Sequence, residues 1–100
     1  MTCLEESLMK TCLSTAKAIA ELPSDKITNK LFIALGVFYK NFPEEHKKFG
    51  KRLGFSHDND APTWFRGTCF RSEEVDPEFA KQVSITWIRF LEKEIEERFP

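Results

Sequence analysis

The sequence has no long apolar run and no glycine-rich loop. Its longest apolar stretch, Leu31 to Tyr39, has nine residues, about half of the roughly 20 that a membrane-spanning helix needs. The four glycines form no loop of the kind that binds phosphate groups through backbone amides. No internal repeat or low-complexity segment occurs either. These absences argue against a membrane-spanning protein, a phosphate-binding loop and a repeat array.

Cysteine is scarce and odd in number. Cys3, Cys12 and Cys69 follow no metal-ligand spacing, so reduced thiols are expected rather than disulfides or a zinc site. The first residues, Met1 to Glu6, do not form the basic leader and apolar run of a secretory signal. We therefore expect a cytoplasmic protein that holds no metal ion and no cofactor.

Recognisable catalytic patterns are also missing. The chain has no paired carboxylates and no serine or cysteine with a histidine at a familiar spacing. Cys69 lies between Arg66 and Arg71, whose guanidinium groups would favour the reactive thiolate. Because neither a base nor an oxyanion-stabilising loop accompanies it, a redox or catalytic role at Cys69 ranks third among the functions considered. We predict that the protein is not an enzyme.

Phenylalanine and charged residues are abundant. One hundred residues suffice for one domain with a single core, so residues 1–100 are predicted to form one domain. The chain is 41% hydrophobic and 31% charged, as is usual for globular proteins. Each of the ten phenylalanines can bury roughly 150–250 Å². These rings are enough for a substantial core, or for a core with aromatic residues left to bind a partner.

The spacing of apolar residues predicts an all-α fold, a compact antiparallel bundle of about four helices. The predicted helices span residues 4–22, 25–41, a short 43–53, and 76–99. Pro23 ends the first helix, and Ser24 or Asp25 is expected to cap the second. Pro43 and Pro77 suit the first turns of the third and fourth helices.

Two further expectations concern individual helices. The second helix is apolar nearly all round, which indicates a central position. Gly36 in its middle costs about 0.5–1 kcal/mol relative to alanine, so we expect a neighbouring helix to approach closely there. The acidic end of the last helix is interpreted as a solvated face with an internal pair between Glu94 and Arg98.

The connection at residues 55–75 is too long for an ordinary loop in a compact domain. It carries aromatic and arginine side chains of the types enriched in protein interfaces. The predicted partner-binding residues are Trp64, Phe65, Arg66, Phe70 and Arg71. The alternative is that Trp64 and Phe70 fold back and close the open end of the bundle.

Charge is unevenly distributed along the chain. Residues 40–71 carry seven bases and four acids, a net +3, whereas residues 72–100 carry eight acids and four bases, a net −4. Possible nucleic-acid-binding residues are Lys47, Lys48, Lys51 and Arg52. The isoelectric point of about 6.1 and the acids of the last helix weigh against that role.

The sequence therefore predicts a small non-enzymatic protein-interaction module, a regulator, adaptor or inhibitor. It would use the aromatic and arginine-rich connection and the charged helix faces to bind another protein or a second copy of itself. Binding of nucleic acid through residues 40–71 is the alternative, and no membrane association is expected.

Overall fold

A computed structural model of the chain describes residues 3–53 and 77–100. Its elements in these ranges are α1 (Leu4–Ala20), α2 (Ser24–Asn41), α3 (Pro43–Arg52) and α4 (Pro77–Arg98). The described residues contain no strand, and the helices pack against one another as an all-α bundle. The predicted fold class is confirmed, and each helix end lies within two residues of its predicted position. The predicted connection at 55–75 lies outside the described residues.

The first two helices begin in different ways. At the start of α1 the Cys3 Sγ accepts a hydrogen bond of 3.3 Å from the backbone N–H of Glu6. At the start of α2, Pro23 occupies the cap position and makes no side-chain cap bond, so the prediction of a Ser24 or Asp25 cap is wrong. Both of those residues already lie inside the first turn, where the negative charge of Asp25 is favourable because the helix dipole is positive at this end.

A single residue, Phe42, separates α2 from α3. Its backbone N–H donates to the Phe38 carbonyl at 2.7 Å, and its own carbonyl accepts from the backbone N–H of His46 at 2.9 Å. Pro43 occupies the first turn of α3 as predicted, because a proline there lacks an N–H that would have no helical partner. The Phe42 side chain is buried, so this junction belongs to the core.

The core is built around the indole of Trp87. The Phe38 ring lies 5.4 Å from it and the Phe49 ring 6.5 Å from it, measured between ring centroids. These contacts join α2, α3 and α4, while α1 packs most extensively against α4. The buried apolar residues are Met9, Ala16, Ile19, Ile27, Leu31, Leu35, Phe38, Phe42, Phe49, Ala80, Val83, Trp87, Phe90 and Leu91.

The central position predicted for α2 agrees with its contacts, because it packs against α1, α3 and α4. Its apolar residues are nevertheless not all buried, since Ile33 is 61% exposed and Val37 is 52% exposed. A Cβ atom built at Gly36 would meet no atom of the described residues within 4 Å, so the expected close helix approach at this glycine is wrong. Apolar residues on the outward side of α2 need another explanation.

The acidic end of α4 is also arranged differently. Glu94 is 6% exposed and accepts a hydrogen bond of 2.6 Å from Lys48 on α3. Arg98 pairs with Glu5 and, at 3.0 Å, with Glu45. The predicted Glu94–Arg98 pair is wrong because both side chains turn towards neighbouring helices. Within the described ranges, the helices are too short or too polar to cross a bilayer.

Candidate functional site

Most of the predicted interface residues lie outside the described part of the chain. They are Trp64, Phe65, Arg66, Phe70 and Arg71, together with the thiol candidate Cys69. Their roles stay predictions. The candidate site described below comes from other residues, for which the sequence predicted no binding role.

The predicted nucleic-acid-binding residues lie on the exposed side of α3. Lys48 is held by Glu94, with Nζ and Oε1 2.6 Å apart. This hydrogen bond and the negative charge of Glu94 raise the pKa of Lys48. Because Glu94 is almost fully buried, Lys48 neutralises a carboxylate that has no other ion-pair partner among the described residues.

The surroundings of α3 are of mixed charge. Lys47 and Lys51 border a shallow depression that also contains the carboxylates of Glu44 and Glu45. A nucleic-acid backbone placed there would meet these carboxylates as well as the lysines, and the resulting repulsion offsets part of the attraction. The four predicted basic residues therefore lie together, including Arg52 at the end of α3, but without a purely basic face.

A groove of about 320 Å³ runs between α1 and α2. We call it the α1–α2 groove. The residues that line it are Thr11, Cys12, Thr15 and Ile19 from α1, Lys30, Ile33, Ala34 and Val37 from α2, and Trp87 from α4. The groove is mainly apolar, and its volume lies near the lower end of the range for ligand pockets, about 300–1,000 Å³. It can accept one or two side chains of a bound segment.

Trp87 forms part of the groove lining although the residue as a whole is 0% exposed. Among the described residues, no acceptor lies within hydrogen-bond distance of its indole Nε1. A buried donor without a partner costs about 1–3 kcal/mol. Because the Nε1 atom is itself buried, this donor is not part of the surface that a bound segment would contact, and its hydrogen bond is not made within the described part of the chain.

Burial favours the neutral forms of two side chains that could otherwise take part in catalysis. Burial raises the pKa of the Cys12 thiol in the groove, which disfavours the nucleophilic thiolate. Burial lowers the pKa of His46 to about 4, and its ring packs 5.8 Å from Phe38 and 5.4 Å from Tyr39. In residues 3–53 and 77–100, no three His, Cys, Asp or Glu side chains are grouped as a metal site requires.

The outward face of α2 carries a regular row of side chains. Lys26, Lys30, Ile33, Val37 and Lys40 recur at spacings of four, three, four and three residues. At 3.6 residues per turn these positions fall within about a quarter of the helix circumference. We call this row the α2 strip. Its two apolar members are flanked by lysines on both sides along the helix axis.

The three lysines of the α2 strip are exposed. None forms an ion pair with a residue in the described part of the chain. By contrast, Lys10, Lys17 and Lys48 each have a carboxylate partner within 4.0 Å. The positive charge of the α2 strip is therefore available to an external group.

A sequence signal for this surface existed. Lys26, Lys30 and Lys40 share the helical phase of Ile33 and Val37, a phase that would be unfavourable for a helix face buried in the core. The broad apolar distribution of α2 instead indicated a central position. The unpaired indole N–H could not be detected in this way, because it depends on which acceptors the fold brings near Trp87.

The described fold and surface define an all-α helical bundle with an apolar groove bordered by exposed lysines. Comparison with protein-family models, with curated proteins and with solved structures gave no match to this chain.

Proposed function

We propose that this protein is a small non-enzymatic protein-interaction module, and that its α1–α2 groove receives the apolar face of a helix from a partner protein. A regulator, adaptor or inhibitor would act in this way. The observation that carries the proposal is the exposure of Ile33 and Val37, 61% and 52% respectively, on the border of an apolar groove.

Exposed apolar side chains beside a groove are typical of a binding surface. Single exposed apolar residues are common on proteins, but Ile33 and Val37 lie one turn apart and line the same groove. Binding of an amphipathic helix in a groove uses apolar anchors spaced by three or four residues. Ile33 and Val37 are four residues apart, so one turn of such a helix can lie against both, and the groove volume of about 320 Å³ leaves space for an anchoring side chain.

Gly36 supports the same interpretation. A glycine inside a helix costs about 0.5–1 kcal/mol relative to alanine, and no described atom occupies the place of its Cβ within 4 Å. The described part of the fold therefore does not require a glycine here. A partner that approaches the backbone of α2 closely would benefit from it.

Cys12 and His46 support a non-enzymatic role, because burial opposes the charged form of each. Nucleic-acid binding by α3 is the weaker candidate, since Lys48 is engaged by Glu94 and acids border the neighbouring lysines.

The proposal is tested by capture of partners from a native lysate on immobilised protein, with and without nuclease. Four baits are compared: the unchanged protein, Ile33→Asp, Val37→Asp and a control, Gln82→Asp. Gln82 is an exposed α4 residue outside the groove lining, so the control adds the same charge to a helix surface. Circular dichroism checks that all four baits are equally helical.

We expect a stoichiometric protein that survives nuclease, that is retained by the Gln82→Asp bait and that is lost from both groove variants. Equal retention by all four baits would mean that the partner does not use the α1–α2 groove. Loss of the captured material after nuclease treatment would instead favour the nucleic-acid alternative.

A further inference from the structure

The α2 strip and the α1–α2 groove form one continuous surface, because Lys30, Ile33 and Val37 belong to both. The chemistry of this surface restricts the helices that fit it. Among the described residues that line the groove, Lys30 is the one that is charged, and the strip contains no acid. Any segment lying along this surface therefore faces positive charge at each end and apolar side chains between.

We propose that the partner segment is an acidic amphipathic helix, whose apolar residues enter the groove and whose carboxylates face Lys26, Lys30 and Lys40. This inference rests on the proposed function and names the partner's chemistry. Lys26 and Lys40 are fourteen residues apart in α2, which corresponds to about 21 Å along the helix axis. The partner helix thus carries acids near both ends of a stretch of roughly four turns.

The absence of internal ion pairs makes the lysines suitable for this role. A lysine that already holds a carboxylate, such as Lys48 with Glu94, would have to exchange one partner for another. The strip lysines have no such partner among the described residues. Complementary charges speed association and suppress mismatched alignments, so the strip also restricts the register in which the helix binds.

An anionic membrane surface would fit this face less well. Amphipathic helices that lie on membranes insert a broad apolar face, whereas the strip exposes only Ile33 and Val37 between its lysines. A bilayer surface also has no side chain that could enter the groove. A second copy packing α2 against α2 would fit poorly as well, since the two sets of lysines would then repel each other.

The test uses a displayed library of helical peptides of about five turns. Apolar residues are fixed at one face, and the flanking positions are drawn at random from glutamate, glutamine and lysine. Peptides are selected on the unchanged protein, and the affinities of the best ones are then measured for three variants. These are Ile33→Asp, the strip variant Lys26→Gln/Lys30→Gln/Lys40→Gln, and the control Lys47→Gln/Lys51→Gln/Lys93→Gln.

The control variant also removes three positive charges, but from exposed lysines of α3 and α4 that have no ion pair in the described part of the chain. We expect the selected peptides to be rich in glutamate and to bind the strip variant roughly tenfold more weakly, from the sum of three exposed charge pairs. The control variant should bind almost normally. Added salt should reduce the affinity for the unchanged protein more than for the strip variant.

The other outcomes separate this inference from the proposed function. Selected peptides with no preference for glutamate, or with equal affinity for the strip variant, would overturn the acidic partner while leaving the groove as a binding site, provided that Ile33→Asp still abolishes binding. If no selected peptide depends on Ile33, both proposals fail. Sedimentation of the unchanged protein as a dimer that Ile33→Asp converts to a monomer would assign the groove to a second copy and overturn the inference.

Discussion

Two charged surfaces of this molecule use lysine in opposite ways. On the surface between α3 and α4, Lys48 neutralises the buried carboxylate of Glu94, and Arg98 pairs with Glu45 and Glu5. On the α2 strip, the three lysines have no carboxylate partner among the described residues. Charge between α3 and α4 holds helices together, whereas charge on α2 is available for binding.

The net charge of sequence segments does not identify the α2 strip. Residues 40–71 carry a net +3 and residues 1–39 have as many acids as bases, so the sequence places the basic surface on α3. Yet Lys26 and Lys30 belong to the balanced segment. Pairing in three dimensions decides whether a charge is available, because a neighbouring carboxylate cancels much of its field.

The largest change in stability is expected at Trp87, which contacts both α2 and α3. Its ring packs on Phe38 and Phe49 and also lines the α1–α2 groove. Trp87→Ala should lower the free energy of unfolding by about 3–5 kcal/mol, because it leaves a large cavity in the core. Urea denaturation followed by circular dichroism measures this. A loss below about 1 kcal/mol would show that the groove lining is not part of the core.

Lowering the pH should reduce the free energy of unfolding through His46, which is buried between α2 and α3. Because burial lowers the pKa of His46 to about 4, the unfolded chain binds a proton that the folded chain does not bind between that pKa and about 6.5. His46 therefore contributes no loss of stability above about pH 6.5, and stability falls as the pH is lowered towards 4. The full loss amounts to about 3 kcal/mol.

The pH dependence of the free energy of unfolding should be measured for the unchanged protein and for His46→Leu. Carboxylates titrate in both proteins, so the difference between the two curves isolates the histidine. We expect this difference to grow as the pH falls from about 6.5 towards 4. Parallel curves over this range would show that His46 protonates equally well in the folded state.

A smaller effect should distinguish the two kinds of lysine directly. Lys48→Met leaves the nearly buried Glu94 carboxylate without its hydrogen-bond donor, so the midpoint of thermal unfolding should fall. Lys30→Met removes an exposed charge that has no carboxylate partner among the described residues, and the midpoint should hardly change. Calorimetry at low and at high salt compares the unfolding midpoints of the two variants with that of the unchanged protein. Equal decreases would contradict the distinction between structural and available lysines.

The fold was largely predictable because its signals are local. Pro23, Pro43 and Pro77 mark helix boundaries, and the periodic apolar residues identify the buried faces. The partners of Glu94 and Arg98 were not predictable in the same way. A charged helix face suggests pairs within the helix, whereas the observed pairs depend on how α1, α3 and α4 lie side by side.

The candidate site was less predictable than the fold. Ile33 and Val37 satisfy the pattern of a buried helix as well as that of an exposed binding face, because composition does not report how many neighbours surround a helix. Only the exposed fractions of these residues separate the two possibilities. The aromatic residues at positions 64, 65 and 70 lie outside the described residues, so the interface predicted there stays a prediction.

The smallest effect concerns Gly36, where stability and binding should change in opposite directions. A Cβ atom at this position meets no described atom within 4 Å, so Gly36→Ala should raise the free energy of unfolding by about 0.5–1 kcal/mol through improved helix propensity. The added methyl group would also occupy the space through which a partner helix approaches α2.

Asn29→Ala on the outward side of α2 is the matched control, because it improves helix propensity without adding atoms. Denaturation measures stability, and titration with a peptide selected on the groove measures affinity. Weaker binding by Gly36→Ala but not by Asn29→Ala would place the partner backbone close to α2, whereas unchanged binding by both would show that the partner contacts α2 only through longer side chains such as Ile33.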